Sequence, residues 1–110
     1  VLYHRPTCST SRKALALLRE RGIDPVIIDY GKVGWDLATL ERLAALTGQG
    51  VRGLLRIKEA GAKTLTAADA DDETILAAMI ADPVLVERPI VETARAAVIG
   101  RPVERVLDIL

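Results

Sequence analysis

The chain opens on a short apolar run, Val1 to His4, and then changes period. After that run the Arg5-Pro6 step holds the backbone extended, because proline disfavours the α region for the residue before it. From Ser9 to Arg21, Ala14, Leu15, Leu17 and Leu18 recur on one face while Arg12, Lys13, Arg19 and Glu20 lie largely elsewhere, and Gly22 supplies a C-terminal stop. This spacing predicts a helix that starts at Cys8. Val26 to Tyr30, VIIDY, is β-branched and continuous, as a strand buried on both faces would be. The opening is therefore β-α-β.

Further along, Asp36 is placed to cap a helix that turns Leu37, Leu40, Leu43 and Ala44 inward and closes at Gly48. Val51 to Ile57 predicts another short helix. A third starts at Asp71 or Asp72, buries Ile75, Leu76, Met79 and Ile80, and ends at Asp82-Pro83. Ile90 to Thr93 and Ala97 to Ile99 are β-prone runs close enough for a hairpin, and Pro102 suits the first turn of a last helix burying Val103, Val106, Leu107 and Leu110. The order β-α-β, helices, β-β-α predicts an α/β protein of thioredoxin-like arrangement. Its mixed sheet has about four strands, with a helical insert between the two halves. No repeat, low-complexity tract or linker divides the sequence, so residues 1–110 are expected to form a single domain.

Composition narrows the chemistry. The 110 residues are enough for one core without disulfides, and the single cysteine cannot form an internal bridge. One histidine and one cysteine are too few for a structural zinc site, so no metal is expected. Fifteen basic and fifteen acidic residues cancel, which removes any global field toward nucleic acid or anionic lipid. Neither partner is expected. No apolar run approaches the roughly 20 residues of a membrane span, and no charged-then-apolar leader is seen, so a soluble, cytoplasmic protein is expected.

The lone thiol lies in YHRPTCSTSR, residues 3 to 12. At a helix N-terminus the unpaired backbone N–H groups and the macrodipole favour negative charge, so Cys8 is expected to ionise readily. The same donors suit an oxyanion. Ser9, Thr10 and Ser11 add hydroxyls, and Arg12 adds a cation one turn on. The alternative is a small buried hydrophobe, a common role for free cysteine. Other thiol chemistries fail on spacing. The three residues between Cys8 and Arg12 are too few for a tyrosine-phosphatase-type loop, and Ser11 stands where a Cys-x-x-Cys pair needs its second thiol. Any redox cycle must then borrow an outside thiol.

YHRPTCSTSR together with VRGLLR (51–56), ERPIV (87–91) and GRPVERVLDIL (100–110) resembles the glutaredoxin-dependent arsenate reductases of the ArsC family, almost end to end and in the same motif order. The resemblance implies Cys8 as nucleophile, with Arg56, Arg88 and Arg101 binding arsenate and arsenite; Ser9, Thr10, Ser11 and Arg12 are expected to line the same anion site from their place at the helix start. It implies a cis Pro89 that turns Arg88 toward the thiol, and a protonated His4 that helps stabilise the thiolate. The bland readings are a strand-edge histidine for His4, solvated charges for Arg12 and Arg52, packing residues for Tyr3, Tyr30 and Trp35, and a loop and helix start for the acidic run at 69–73. Glutathione is implied as co-substrate and glutaredoxin as partner, with no bound cofactor. Two positions depart from the family pattern: Arg5 stands where asparagine is common, and Ser9 where glycine can occur. A related glutathione-dependent thiol reductase and a non-enzymatic Spx-like transcriptional regulator are the alternatives. The regulator's usual Cys-x-x-Cys switch is unavailable here.

Overall fold

The computed structural model describes residues 1–110, which fall into two compact units. The first comprises Val1–Val33 and Arg88–Leu110, the second Gly34–Glu87.

The first unit is a four-stranded mixed sheet in the order β2-β1-β3-β4. Strand β1, Leu2–His4, is central and buried throughout. It pairs in parallel with β2, Ile27–Asp29, with Tyr3 opposite Ile28. On its other side it runs antiparallel to β3, Ile90–Glu92, with Leu2 opposite Val91. β3 in turn pairs antiparallel with β4, Ala97–Ile99. Helix α1, Ser9–Glu20, makes the crossover from β1 to β2 and ends as expected before Gly22, whose φ of +75° is one that side chains rarely adopt. Leu2, Ala14, Leu18, Val91 and Val106 form the core of this unit. Burying each of the larger side chains contributes roughly 1.5–3 kcal/mol.

Three expectations for this unit need correction. The β2 run was expected to be buried on both faces. As an edge strand it leaves Val26 66% and Ile27 40% exposed, and the chain turns at Tyr30 into a short helix α2, Tyr30–Val33. The C-terminal segment Val103–Ile109 is a 3-10 helix, preceded by Pro102 as its extended cap, and it buries only Val106 fully. Leu110, expected inside, is half exposed. Both Arg88-Pro89 and Arg101-Pro102 are cis, the first as the resemblance implied and the second not foreseen.

The second unit is helical. Helix α3, Leu37–Thr47, begins where Asp36 accepts a hydrogen bond from the Thr39 N–H at 2.7 Å and ends at Gly48 in the left-handed region. Helix α4, Gly50–Leu54, is shorter than the 51–57 expected, because Leu55 turns extended and bridges antiparallel to Val86. Helix α5, Ala60–Ala67, was not anticipated. Helix α6, Asp72–Ala81, starts at Asp71, which accepts from the Thr74 N–H at 2.8 Å, and gives way to a 3-10 turn over Pro83–Leu85. Leu37 and Ile80, both expected inward, are 49% and 41% exposed.

Candidate active site

β1 ends at His4, and a tight turn closed by the Cys8 N–H donating to the Arg5 carbonyl at 2.9 Å delivers Cys8 to the N-cap of α1. Its carbonyl accepts from the Arg12 N–H at 3.0 Å, so the helix begins directly beyond it. The thiol is half-buried, and no carboxylate lies in the first turn to compete for the helix N–H groups.

Arg101 is brought to this thiol by the hairpin. Gly100 follows β4 and donates its N–H to the Pro89 carbonyl at 2.8 Å, a close approach in which a Cβ would lie 3.0 Å from Pro89 Cγ and 3.1 Å from Val106 Cγ1. The next residue, Arg101, donates from Nε to the Arg88 carbonyl at 2.7 Å and places Nη2 3.5 Å from Cys8 Sγ. Burial pushes the Cys8 thiol up, but the Ser11 N–H, the Arg88 guanidinium, the Thr10 N–H and the Arg101 charge together outweigh it. The net shift is downward, toward the thiolate.

The remaining residues divide. Arg88 lies near enough to both Cys8 and Tyr30 to lower the pKa of each, so its guanidinium neighbours the thiol. Tyr30, read from sequence as packing, is fully buried, and its phenol adjoins Arg88. Burial raises its pKa against the pull of the Arg88 and Arg5 cations. Nothing in the sequence around Tyr30 signalled this beyond its place directly after β2.

Ser11 serves the site differently from the expectation of a substrate-facing hydroxyl. Its Oγ is fully buried, 2.6 Å from His4 Nδ1, and accepts from the Arg5 N–H at 3.0 Å, leaving only its backbone N–H to the thiolate. The resemblance implied a protonated His4; burial lowers its pKa, the nearby Arg12 and Arg19 charges add to that, and Asp29 opposes them only in part, which disfavours the protonated form. Arg12 is exposed and donates to the Pro6 carbonyl at 2.8 Å, a bond that braces the turn before Cys8. Ser9 is exposed and Thr10 partly so, at the open start of the helix.

Arg56 belongs to the second unit. Its N–H donates to the Leu85 carbonyl at 2.7 Å, and its Nε forms an ion pair with Glu59 Oε1 at 3.4 Å, without the alignment of a hydrogen bond. Arg52, read as a surface residue, pairs with exposed Asp69 at 3.2 Å. No three His, Cys, Asp or Glu side chains converge as metal ligands, and no helix is long and apolar enough to cross a membrane.

A sheet of this order, with the one cysteine at the first helix start beside arginines, defines a thioredoxin-like protein. A search of known proteins narrows it. The ArsC family model matches residues 3–109. The chain is 40% identical to an arsenate reductase of Rhizobium meliloti, over 99% of this chain and 79% of that one. It is 43% identical to the uncharacterised protein YfgD of Escherichia coli, over 99% of this chain and 94% of the relative. Among solved structures, an arsenate reductase from Vibrio cholerae superposes with a TM-score of 0.93 at 43% identity, covering 100% of this chain and 96% of that one. The chain belongs to the ArsC family.

Proposed function

We propose that this protein is an arsenate reductase that takes its electrons from glutathione and is reset by glutaredoxin. The observation that carries the reading is the Arg101 guanidinium at 3.5 Å from Cys8 Sγ, at a helix N-terminus free of competing carboxylates. Relatives of about the same length that are named arsenate reductases support the choice of oxyanion.

Arsenate and a thiolate are both negative, so their meeting needs cations already in place. Arg88 and Arg101 neutralise the encounter, the planar fork of each guanidinium matching a tetrahedral oxyanion, and Arg56 is the third member of the set by its motif. The Thr10 and Ser11 N–H groups hold the thiolate. Cys8 attacks arsenic, an As–S bond forms, and an oxygen leaves as water after protonation. Glutathione then supplies the second thiol. As the Cys8 and glutathione sulfurs join in a disulfide, each gives up one electron and arsenic falls from the +5 to the +3 level as arsenite. Glutaredoxin takes the glutathione from Cys8 by thiol exchange and restores the thiol. A chain with one cysteine needs this external route, and a reducing compartment such as the cytoplasm supplies it.

The test is arsenate-dependent oxidation of NADPH in the presence of glutathione, glutaredoxin and glutathione reductase. Turnover that requires all components is expected. A rate equal to the arsenate-free background would reject arsenate as substrate.

A further inference from the structure

Helix α6 carries Ile75, Leu76, Ala77, Ala78, Met79 and Ile80 in unbroken succession, so it is apolar on every side. Such a helix is ordinarily covered all round. Here it is not: Ile75, Leu76 and Met79 are buried, whereas Ala77 and Ile80 face solvent. The uncovered side forms one wall of an open groove of about 740 Å³ within the second unit, and α3 and the start of α4 form the rest. Leu37, Ala44, Val51, Leu76 and Ile80 give it an apolar floor. Every charged residue lining it is a carboxylate, Glu41 on α3 and Asp72 and Glu73 at the start of α6. In a chain of balanced charge this is a local asymmetry.

We propose that this groove is a docking surface for a partner protein that presents an amphipathic helix, with aliphatic side chains on the face entering the groove and lysine or arginine at its margins. Three aspects of the groove select that occupant. Its open apolar floor, lined by Leu37, Ala44, Val51, Leu76 and Ile80 from three helices, suits the one-sided stripe of a helix, whose anchors recur every three to four residues. Its acidic margin attracts cations and repels an acidic peptide, so charge decides orientation and specificity. The same margin repels phosphate, which disfavours nucleic acid and an anionic lipid surface. None of the groove residues takes part in the thiol chemistry of Cys8, so docking there is separable from catalysis.

The probe is a fluorescently labelled 18-residue helical peptide of leucine and lysine with its leucines on one face, compared with the same peptide carrying glutamate for lysine. Anisotropy titration is expected to show saturable binding of the lysine peptide, at least tenfold tighter than the glutamate peptide and weaker in higher salt. Amide shifts in NMR are expected to cluster on α3, α4 and α6. Glu41→Lys combined with Glu73→Lys should weaken the lysine peptide about tenfold, and Ala77→Glu should weaken both peptides. Both variants should keep the wild-type melting temperature within a few degrees and full reductase turnover.

Equal affinity for the two peptides, absence of binding up to about 1 mM, or shifts clustered elsewhere would overturn the proposal. Binding of anionic vesicles through α6 would overturn it in favour of a membrane. Concentration-dependent dimerisation abolished by Ala77→Glu would overturn it in favour of a second copy.

Discussion

Arg101 Nη2 lies 3.5 Å from Cys8 Sγ, although 93 positions separate the two residues in the chain. Contact with a permanent cation favours the thiolate over the thiol, and the Arg101 Nε bond to the Arg88 carbonyl at 2.7 Å fixes the side chain while it does so. Two loops distant in sequence are thereby tied to the Cys8 thiol and to each other.

The pH dependence of Cys8 alkylation follows from that contact. Iodoacetamide should modify the thiol with a midpoint below the roughly 8.5 of a free cysteine, since the net shift at Cys8 is downward. Arg101→Ala should move the midpoint up. A wild-type midpoint at or above the free value would mean that burial, the largest opposing influence, wins.

The arginines should differ by step. Replacing Arg with Lys keeps the charge and loses the donor fork. Arg88→Lys should lower kcat with a modest change in KM, and Arg56→Lys should chiefly raise KM. Arg101→Lys should raise KM and also slow adduct formation at low pH, because Arg101 touches the sulfur itself. Steady-state kinetics with single-turnover formation of the Cys8 adduct separates these cases. Three lysine variants equal to wild type in both parameters would reduce the trio to surface charge.

Ser11→Ala should cost stability rather than substrate affinity. It strips the buried partner from His4 Nδ1 and from the Arg5 N–H, and an orphaned buried group costs about 1–3 kcal/mol. A drop in urea midpoint with KM unchanged is expected. A raised KM with unchanged stability would return the hydroxyl to the substrate.

His4 should make the fold sensitive to mild acid. Its pKa is lowered in the native state, so between that value and the roughly 6.5 of the unfolded chain the unfolded state binds more protons. Stability is therefore complete above about pH 6.5 and falls as the pH drops through this window. Asp36 and Asp71, whose pKa values are lowered by their capping bonds, act only below the ordinary carboxylate range. Urea midpoints measured from pH 7.5 to 5 should decline for wild type, and less for His4→Asn. A midpoint that rises on acidification would contradict the sign.

What was legible in the sequence was local. Asp36, Gly48 and Asp71 announce helix ends because capping depends on neighbours three residues away, and all three do so here. Cys8 at the start of α1 was legible from the Arg5-Pro6 break before it and the apolar face that follows. Helix α5 was not, since AGAKTLTA carries no apolar stripe. The exposure of Val26, Leu37 and Ile80 depends on what packs beside them, which periodicity does not report. Within the site, nothing distinguishes Ser11 from Ser9 or Thr10 until β1 and α1 bring His4 against it. The Arg101 contact was foreseeable only through its motif, because it depends on the hairpin and on the space Gly100 leaves.

The most direct test of the central claim is arsenate reduction by Cys8→Ser, followed in a single turnover with glutathione present. Oxygen replaces sulfur at nearly the same size but ionises far less readily, so the fold should stand and arsenite formation should fall by at least about a hundredfold, roughly 2.7 kcal/mol of barrier. Arsenite produced within about tenfold of the wild-type rate would contradict the assignment of Cys8 as the nucleophile.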